Sequence, residues 1–199
     1  LVPLAMLVLL ASAGESLANG PEAVADVAAT AEQARIEAYW TPERLAKAIP
    51  RDLIIEGGTG KTRAPLSVAA VDAGSGASWT GDGAINQRSG KVFFAFSPGA
   101  TPGQFDYVCS GAILQDGGNA GDSLVLTAGH CAYDRDTGSF ATNWIFIPDW
   151  DGDPVYDCGS VMYGCWWARA LVIRGEYVDS PDLNASIQHD YAIAVVGPG

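Results

Sequence analysis

The sequence predicts an all-β fold, an antiparallel barrel or sandwich, over residues 90–199. Three observations carry that expectation. From Lys91 onward, short β-type runs alternate with turn clusters. The runs are rich in Val, Ile, Phe, Trp and Tyr, which suit a pleated, half-buried surface. No helical pattern interrupts them, so sheet packing on sheet is the architecture left. The six runs are 91–96, 108–114, 123–128, 143–147, 166–173 and 191–196. Between them lie Ser97-Pro98-Gly99, Asp116-Gly117-Gly118-Asn119, the stretch 149–154 and Ser180-Pro181-Asp182. Each joins residues that favour turn geometry.

Upstream of the barrel the texture differs. The apolar run 1–13 is shorter than the roughly 20 residues needed to cross a bilayer. It has the length of a secretory h-region, and Ala11-Ser12-Ala13 supplies small residues for signal cleavage. Residues 1–18 therefore read as a signal peptide with an incomplete start, which makes the protein secreted and extracellular. Residues 19–89 read as a pro-segment and linker. A first helix is expected from Pro21, with Val24, Val27, Ala28 and Ala31 on one face. A second is expected from Thr41, as cap, with Pro42 in its first turn. Leu45, Ala48 and Ile49 form its apolar face and Pro50 closes it. The polar, Gly-rich stretch 57–90 suits a linker or a cleavable segment, with Arg63 and Arg88 as basic cleavage points.

Composition removes several functions. The net charge is −12, opposite to what phosphate backbones or anionic lipids attract, so neither a nucleic-acid partner nor a polybasic membrane anchor is expected. Gly57-Gly58-Thr59-Gly60-Lys61-Thr62 imitates a P-loop, but Ile55 stands where the motif needs its first Gly. Asp149, Asp151 and Asp153 alternate as in a calcium loop, but Pro154 and Ser160 replace the Gly and Glu that should follow. A solvated acidic turn is the reading kept. Asn184-Ala185-Ser186 has the form of a glycosylation sequon, relevant only in a eukaryotic secretory route. The four cysteines Cys109, Cys131, Cys158 and Cys165 are an even count without any C-x-x-C pair. Two disulfides fit better than zinc, and no metal or other cofactor is expected.

Two stretches carry chemistry. Leu124-Val125-Leu126-Thr127 is an apolar strand, and Ala128-Gly129 then lets the backbone turn tightly. An imidazole, His130, emerges at the strand end beside Cys131. Downstream, Gln188-His189-Asp190 precedes the small and aliphatic run Tyr191-Ala192-Ile193-Ala194-Val195-Val196. A carboxylate there can hold an imidazole in one tautomer. His189 is expected on the strand, pointing away. Asp179 and Asp182 compete for the acidic role but belong to the Ser-Pro-Asp turn.

The segment Thr127-Ala128-Gly129-His130-Cys131, preceded by the strand Tyr107-Val108-Cys109-Ser110-Gly111, resembles the catalytic-histidine region of trypsin-like (chymotrypsin-fold) serine peptidases. Tyr39-Trp40-Thr41-Pro42, Gly90-Lys91-Val92-Phe93-Phe94, Asn143-Trp144-Ile145-Phe146-Ile147-Pro148 and Trp167-Ala168-Arg169 are similar to secreted bacterial members, actinobacterial ones above all. The resemblance implies that 90–199 is the N-terminal six-stranded antiparallel barrel of a two-barrel fold. It implies a Cys109–Cys131 disulfide, and catalytic roles for His130 and Asp190 in hydrolysing protein or peptide substrates. Cys158 and Cys165 are expected to close a local loop. No G-D-S-G-G-type segment and no second barrel occur in the sequence, so the chain by itself is expected to be inactive. The competing reading is a secreted, non-catalytic binding module built on half of a peptidase fold.

Overall fold

A computed structural model describes residues 23–27, 33–51, 84–97, 105–115, 122–150, 158–159 and 161–197. The signal-peptide reading, the P-loop imitation, Arg63, Asp151 and Asp153 fall outside these residues. In chain order the elements are β1 (Ala23–Val27), α1 (Gln33–Tyr39), α2 (Pro42–Lys47), β2 (Ile49–Pro50) and α3 (Ile85–Arg88). Then come β3 (Ser89–Ala95), β4 (Asp106–Gln115), β5 (Ser123–Thr127), β6 (Tyr133–Asp134), β7 (Ser139–Phe140) and β8 (Thr142–Pro148). The last are β9 (Trp166–Arg174), α4 (Gly175–Asp179), α5 (Leu183–Ser186) and β10 (Ala192–Gly197).

Each of the six apolar runs becomes a strand, with ends displaced by only a residue or two. They pair antiparallel in the order β3-β4-β5-β10-β9-β8, and β8 returns to β3. The ladder therefore closes into a six-stranded barrel, which leaves none of these strands as an open edge along its whole length. The fold is all-β with a few short helices.

β3 and β8 explain how the barrel is covered. Along β3, Val92 and Phe94 pack into the barrel cluster, while the intervening Phe93 packs into a second cluster. Along β8, Trp144 and Phe146 face the barrel, and Ile145 and Ile147 face the second cluster. Alternate side chains on a strand leave opposite faces, so both faces of this part of the sheet are buried. The outer cover is α1 and α2. Ile36 and Trp40 are each 2% exposed and Leu45 is 4% exposed, all packed with Phe93, Ile145, Ile147 and Trp167. The second helix starts as its sequence predicts, with the Thr41 hydroxyl accepting from Arg44 N–H at 3.3 Å and Pro42 in the first turn. It ends at Lys47, however, and Ile49, expected on its apolar face, belongs with Pro50 to β2, paired with β4.

Three further expectations are corrected. Residues 23–27 form β1, not a helix, pairing antiparallel with β9 from Ala23↔Arg174 to Val27↔Ala170. β8 pairs with β9 only at Trp166 and Trp167. The far part of β9 thus offers unpaired backbone, and β1 takes it. An isolated short helix has little stability of its own to oppose that pairing. Helices also interrupt the strand series: α4, α5 and a 3₁₀ turn at Ile187–His189 lie between β9 and β10. The Asp182 carboxylate accepts from Ala185 N–H at 2.8 Å and caps α5, so Ser180-Pro181-Asp182 is a turn that also starts a helix. His189 sits in that 3₁₀ turn, not on a strand.

Candidate active site

β5 ends at Thr127, whose hydroxyl donates to the Ser110 carbonyl of β4 at 2.8 Å. Ala128 is still extended, and the chain then tightens into a 3₁₀ turn over Gly129–Cys131. Cys131 N–H donates to Ala128 O at 3.1 Å and Ala132 N–H to Gly129 O at 2.9 Å. This turn presents His130 at the barrel rim. Three contacts hold it from outside. Cys131 is bonded to Cys109 of β4. The buried Trp144 indole donates to the Cys131 carbonyl at 3.2 Å. Arg51 Nε donates to the His130 carbonyl at 3.1 Å.

Asp190 reaches the same rim from the neighbouring strand. β5 and β10 are paired with Thr127 opposite Ala192. His130 lies just beyond the end of β5, and Asp190 lies just before the start of β10. The two side chains meet there. Asp190 Oδ2 lies 2.8 Å from His130 Nδ1, and Asp190 Oδ1 accepts from the His130 backbone N–H at 2.8 Å. One carboxylate therefore grips both the ring and the main chain of one residue. The side chains are 14% and 10% exposed, so the contact is largely shielded from water. Because a carboxylate only accepts, the Nδ1 contact places a proton on Nδ1, and in the neutral ring leaves Nε2 as the acceptor.

Gly129 makes this approach possible. A Cβ there would stand 3.0 Å from Asp190 Oδ1, 3.3 Å from Tyr177 Cδ1 and 3.3 Å from the Tyr191 nitrogen. Tyr177, 1% exposed, supports this wall of the site. Burial, reinforced by the nearby Asp190 charge, pushes its phenol above the ordinary value.

The remaining sequence candidates are also placed. Cys158 is bonded to Cys165, closing a local loop. His130, Cys109 and Cys131 form the one cluster of potential metal-ligating groups among the described residues. Both sulfurs are already joined to each other, and a disulfide sulfur is not a thiolate ligand. Asp179 is exposed, and Asp182 is occupied as a helix cap. No helix among the described residues is long and apolar enough to cross a membrane. Arg51, Tyr177 and the closeness required of Gly129 are not evident from strand and turn patterns. For α5, the spacing of Asp182 to Ala185 is the one local signal available.

No protein-family model matches the chain, and no curated protein matches it. Among solved structures it is similar to the thermostable serine protease AL20 from an extremophilic microorganism, at 37% identity over 57% of this chain and 44% of that one, with a TM-score of 0.40. It is also similar to a Glu endopeptidase solved in complex with MPD, at 15% identity over 57% of this chain and 40% of that one, with a TM-score of 0.37. The chain thus spans less than half the length of either. It forms a closed six-stranded antiparallel barrel with His130 and Asp190 joined at its rim, as its resemblance to one barrel of a trypsin-like, chymotrypsin-fold peptidase implies.

Proposed function

We propose that the complete protein is a secreted, trypsin-like serine endopeptidase in which His130 is the general base and Asp190 its orienting partner. The observation that carries this reading is the two-point grip of Asp190 on His130. In the mechanism it supports, Nε2 takes the proton from a serine hydroxyl supplied by a second barrel. The alkoxide attacks the peptide carbonyl, and the imidazolium then protonates the leaving amine. The new Ser–acyl bond is hydrolysed by water, with His130 again accepting and returning the proton. Asp190 stabilises the imidazolium formed in each half. The sequence of events is that of the family the chain resembles.

The His130 backbone N–H adds a constraint specific to this geometry. It can only donate, so in an Asp190→Asn variant the amide oxygen must turn towards it. The amide NH₂ then faces Nδ1, which has to accept, and the remaining ring proton moves to Nε2. A ring protonated at Nε2 cannot take the serine proton.

The test is labelling of the secreted full-length protein with a fluorophosphonate. One serine should be labelled stoichiometrically, and the His130→Ala variant should lose the label while staying folded. A folded full-length protein that takes no label would overturn the peptidase reading and favour a binding module.

A further inference from the structure

We propose that residues 33–51 are a lasting structural partner of the barrel, which stays bound even when the chain is cut downstream of Arg51. The sequence presents this stretch as part of a removable pro-segment, but its contacts are those of a core element. Trp40 is 2% exposed, its ring tilted against Phe93 at 5.7 Å between centroids. Its indole N–H donates to the backbone carbonyl of Asn143. Asn143 takes a left-handed backbone (φ 51°) beside a register shift in the β3–β8 ladder. Its side-chain oxygen accepts from Arg35 at 2.9 Å. The barrel wall is thus locally reshaped where the segment sits.

A second, polar anchor is independent of the first. Asp106, at the start of β4, is 0% exposed. Its Oδ1 accepts from the Tyr39 hydroxyl, and its Oδ2 accepts from Arg44 at 2.8 Å. The Arg44 guanidinium also lies over the Tyr39 ring, 4.2 Å from its centroid. A charge is placed inside a protein at high cost unless it is hydrogen-bonded there. Departure of the segment would strip two of these contacts from a buried carboxylate and bare Phe93, Ile145 and Ile147.

A third anchor joins the segment to the rim. β2 pairs parallel with β4 at Ile49↔Tyr107 and Pro50↔Val108, and Arg51 N–H donates to Val108 O at 3.1 Å. The Arg51 side chain lies against Phe96 and Tyr107, at 4.5 and 4.9 Å from their ring centroids, and reaches the His130 carbonyl. The partner this barrel face fits is therefore specific: an acid-binding Tyr/Arg pair, a Trp plug and a short parallel strand, all supplied by its own chain. The inference rests on packing and does not depend on the peptidase reading.

The experiment uses the full-length precursor with a site-specific protease sequence inserted after Arg63. It is cut and passed over a sizing column in native buffer, with intact masses measured on each fraction. The N-terminal piece and the barrel piece should co-elute one to one, and should part only where the barrel unfolds in urea. Elution of the N-terminal piece alone, whether the barrel stays folded or precipitates, would overturn the proposal. In urea, the pieces of the cut Tyr39→Phe protein, which keeps the ring, should part about tenfold faster. A release rate equal to that of the unsubstituted cut protein would overturn the Asp106 anchor.

Discussion

Replacing Gly129 with Ala places one methyl group against the functional pair and leaves every reacting atom in the sequence. The new Cβ would lie 3.0 Å from Asp190 Oδ1, tighter than an ordinary carbon–oxygen contact. It cannot swing away, because Tyr177 Cδ1 and the Tyr191 nitrogen each stand 3.3 Å off. The carboxylate must therefore give by a few tenths of an ångström, stretching two contacts that are both 2.8 Å. A misplacement of about 1 Å at a reacting centre costs on the order of 100-fold in rate. A shift of this smaller size is expected to lower kcat about tenfold, or about 1.4 kcal/mol of barrier, with KM little changed. The crowding itself should cost about 1–3 kcal/mol of stability. The assay is steady-state peptide hydrolysis by the full-length protein, the activity proposed for it, alongside urea denaturation. A variant with unchanged kcat would refute the reasoning, because the close approach at position 129 would then be irrelevant to the pair.

Other consequences can be measured separately. Replacing Cys109 and Cys131 together with Ser removes a bridge between residues 22 apart in sequence. The loss should be about 3 kcal/mol, seen as a fall in Tm on the order of 10 °C; an unchanged Tm would contradict it. Burial and the Asp106 contact raise the Tyr39 phenol above its ordinary value of 10.0, and burial does the same for Tyr177. Each then contributes stability that is whole below pH 10 and is lost as pH rises from there through the folded value. In an absorbance titration, Tyr39 and Tyr177 should stay un-ionised past about pH 11 until the protein unfolds. Ionisation of these two phenols near pH 10 in the folded protein would contradict this. Arg51→Ala removes the 3.1 Å contact to the His130 carbonyl and a 3.5 Å ion pair with Asp134. It should lower kcat several-fold, up to about tenfold, with KM unchanged. An effect confined to KM would mean that Arg51 does not position the His130 turn.

The barrel strands were legible because each is a short β-rich run set off by turn residues. The rim was legible for the same reason. A small-residue turn after one strand and an acid before another bring His130 and Asp190 close once β5 and β10 pair. What lay beyond reach was the partner of each exposed face. Val92-Phe93-Phe94-Ala95-Phe96 and Trp144-Ile145-Phe146-Ile147 are continuous apolar runs, not alternating ones, which signals burial on both faces. Nothing local says that residues 33–51 supply the outer cover. The 23–27 stretch shows the opposite limit. Val24, Val27 and Ala28 satisfy helical spacing, but the open flank of β9 decides the outcome, and that flank exists only after the barrel closes. Arg51 is likewise invisible beforehand, since its contacts at Phe96, Tyr107 and His130 come from three separate parts of the chain.

The most direct measurement on the pair itself is the kinetics of peptide hydrolysis by Asp190→Asn in the full-length protein, on the function proposed for it. If the amide oxygen is held by the His130 backbone N–H and its NH₂ turns the imidazole into the wrong tautomer, kcat should fall by about 10⁴-fold, with KM within a few-fold and the fold intact. A variant that hydrolyses peptides at near the unsubstituted rate would contradict the assignment of His130 and Asp190 as a working pair.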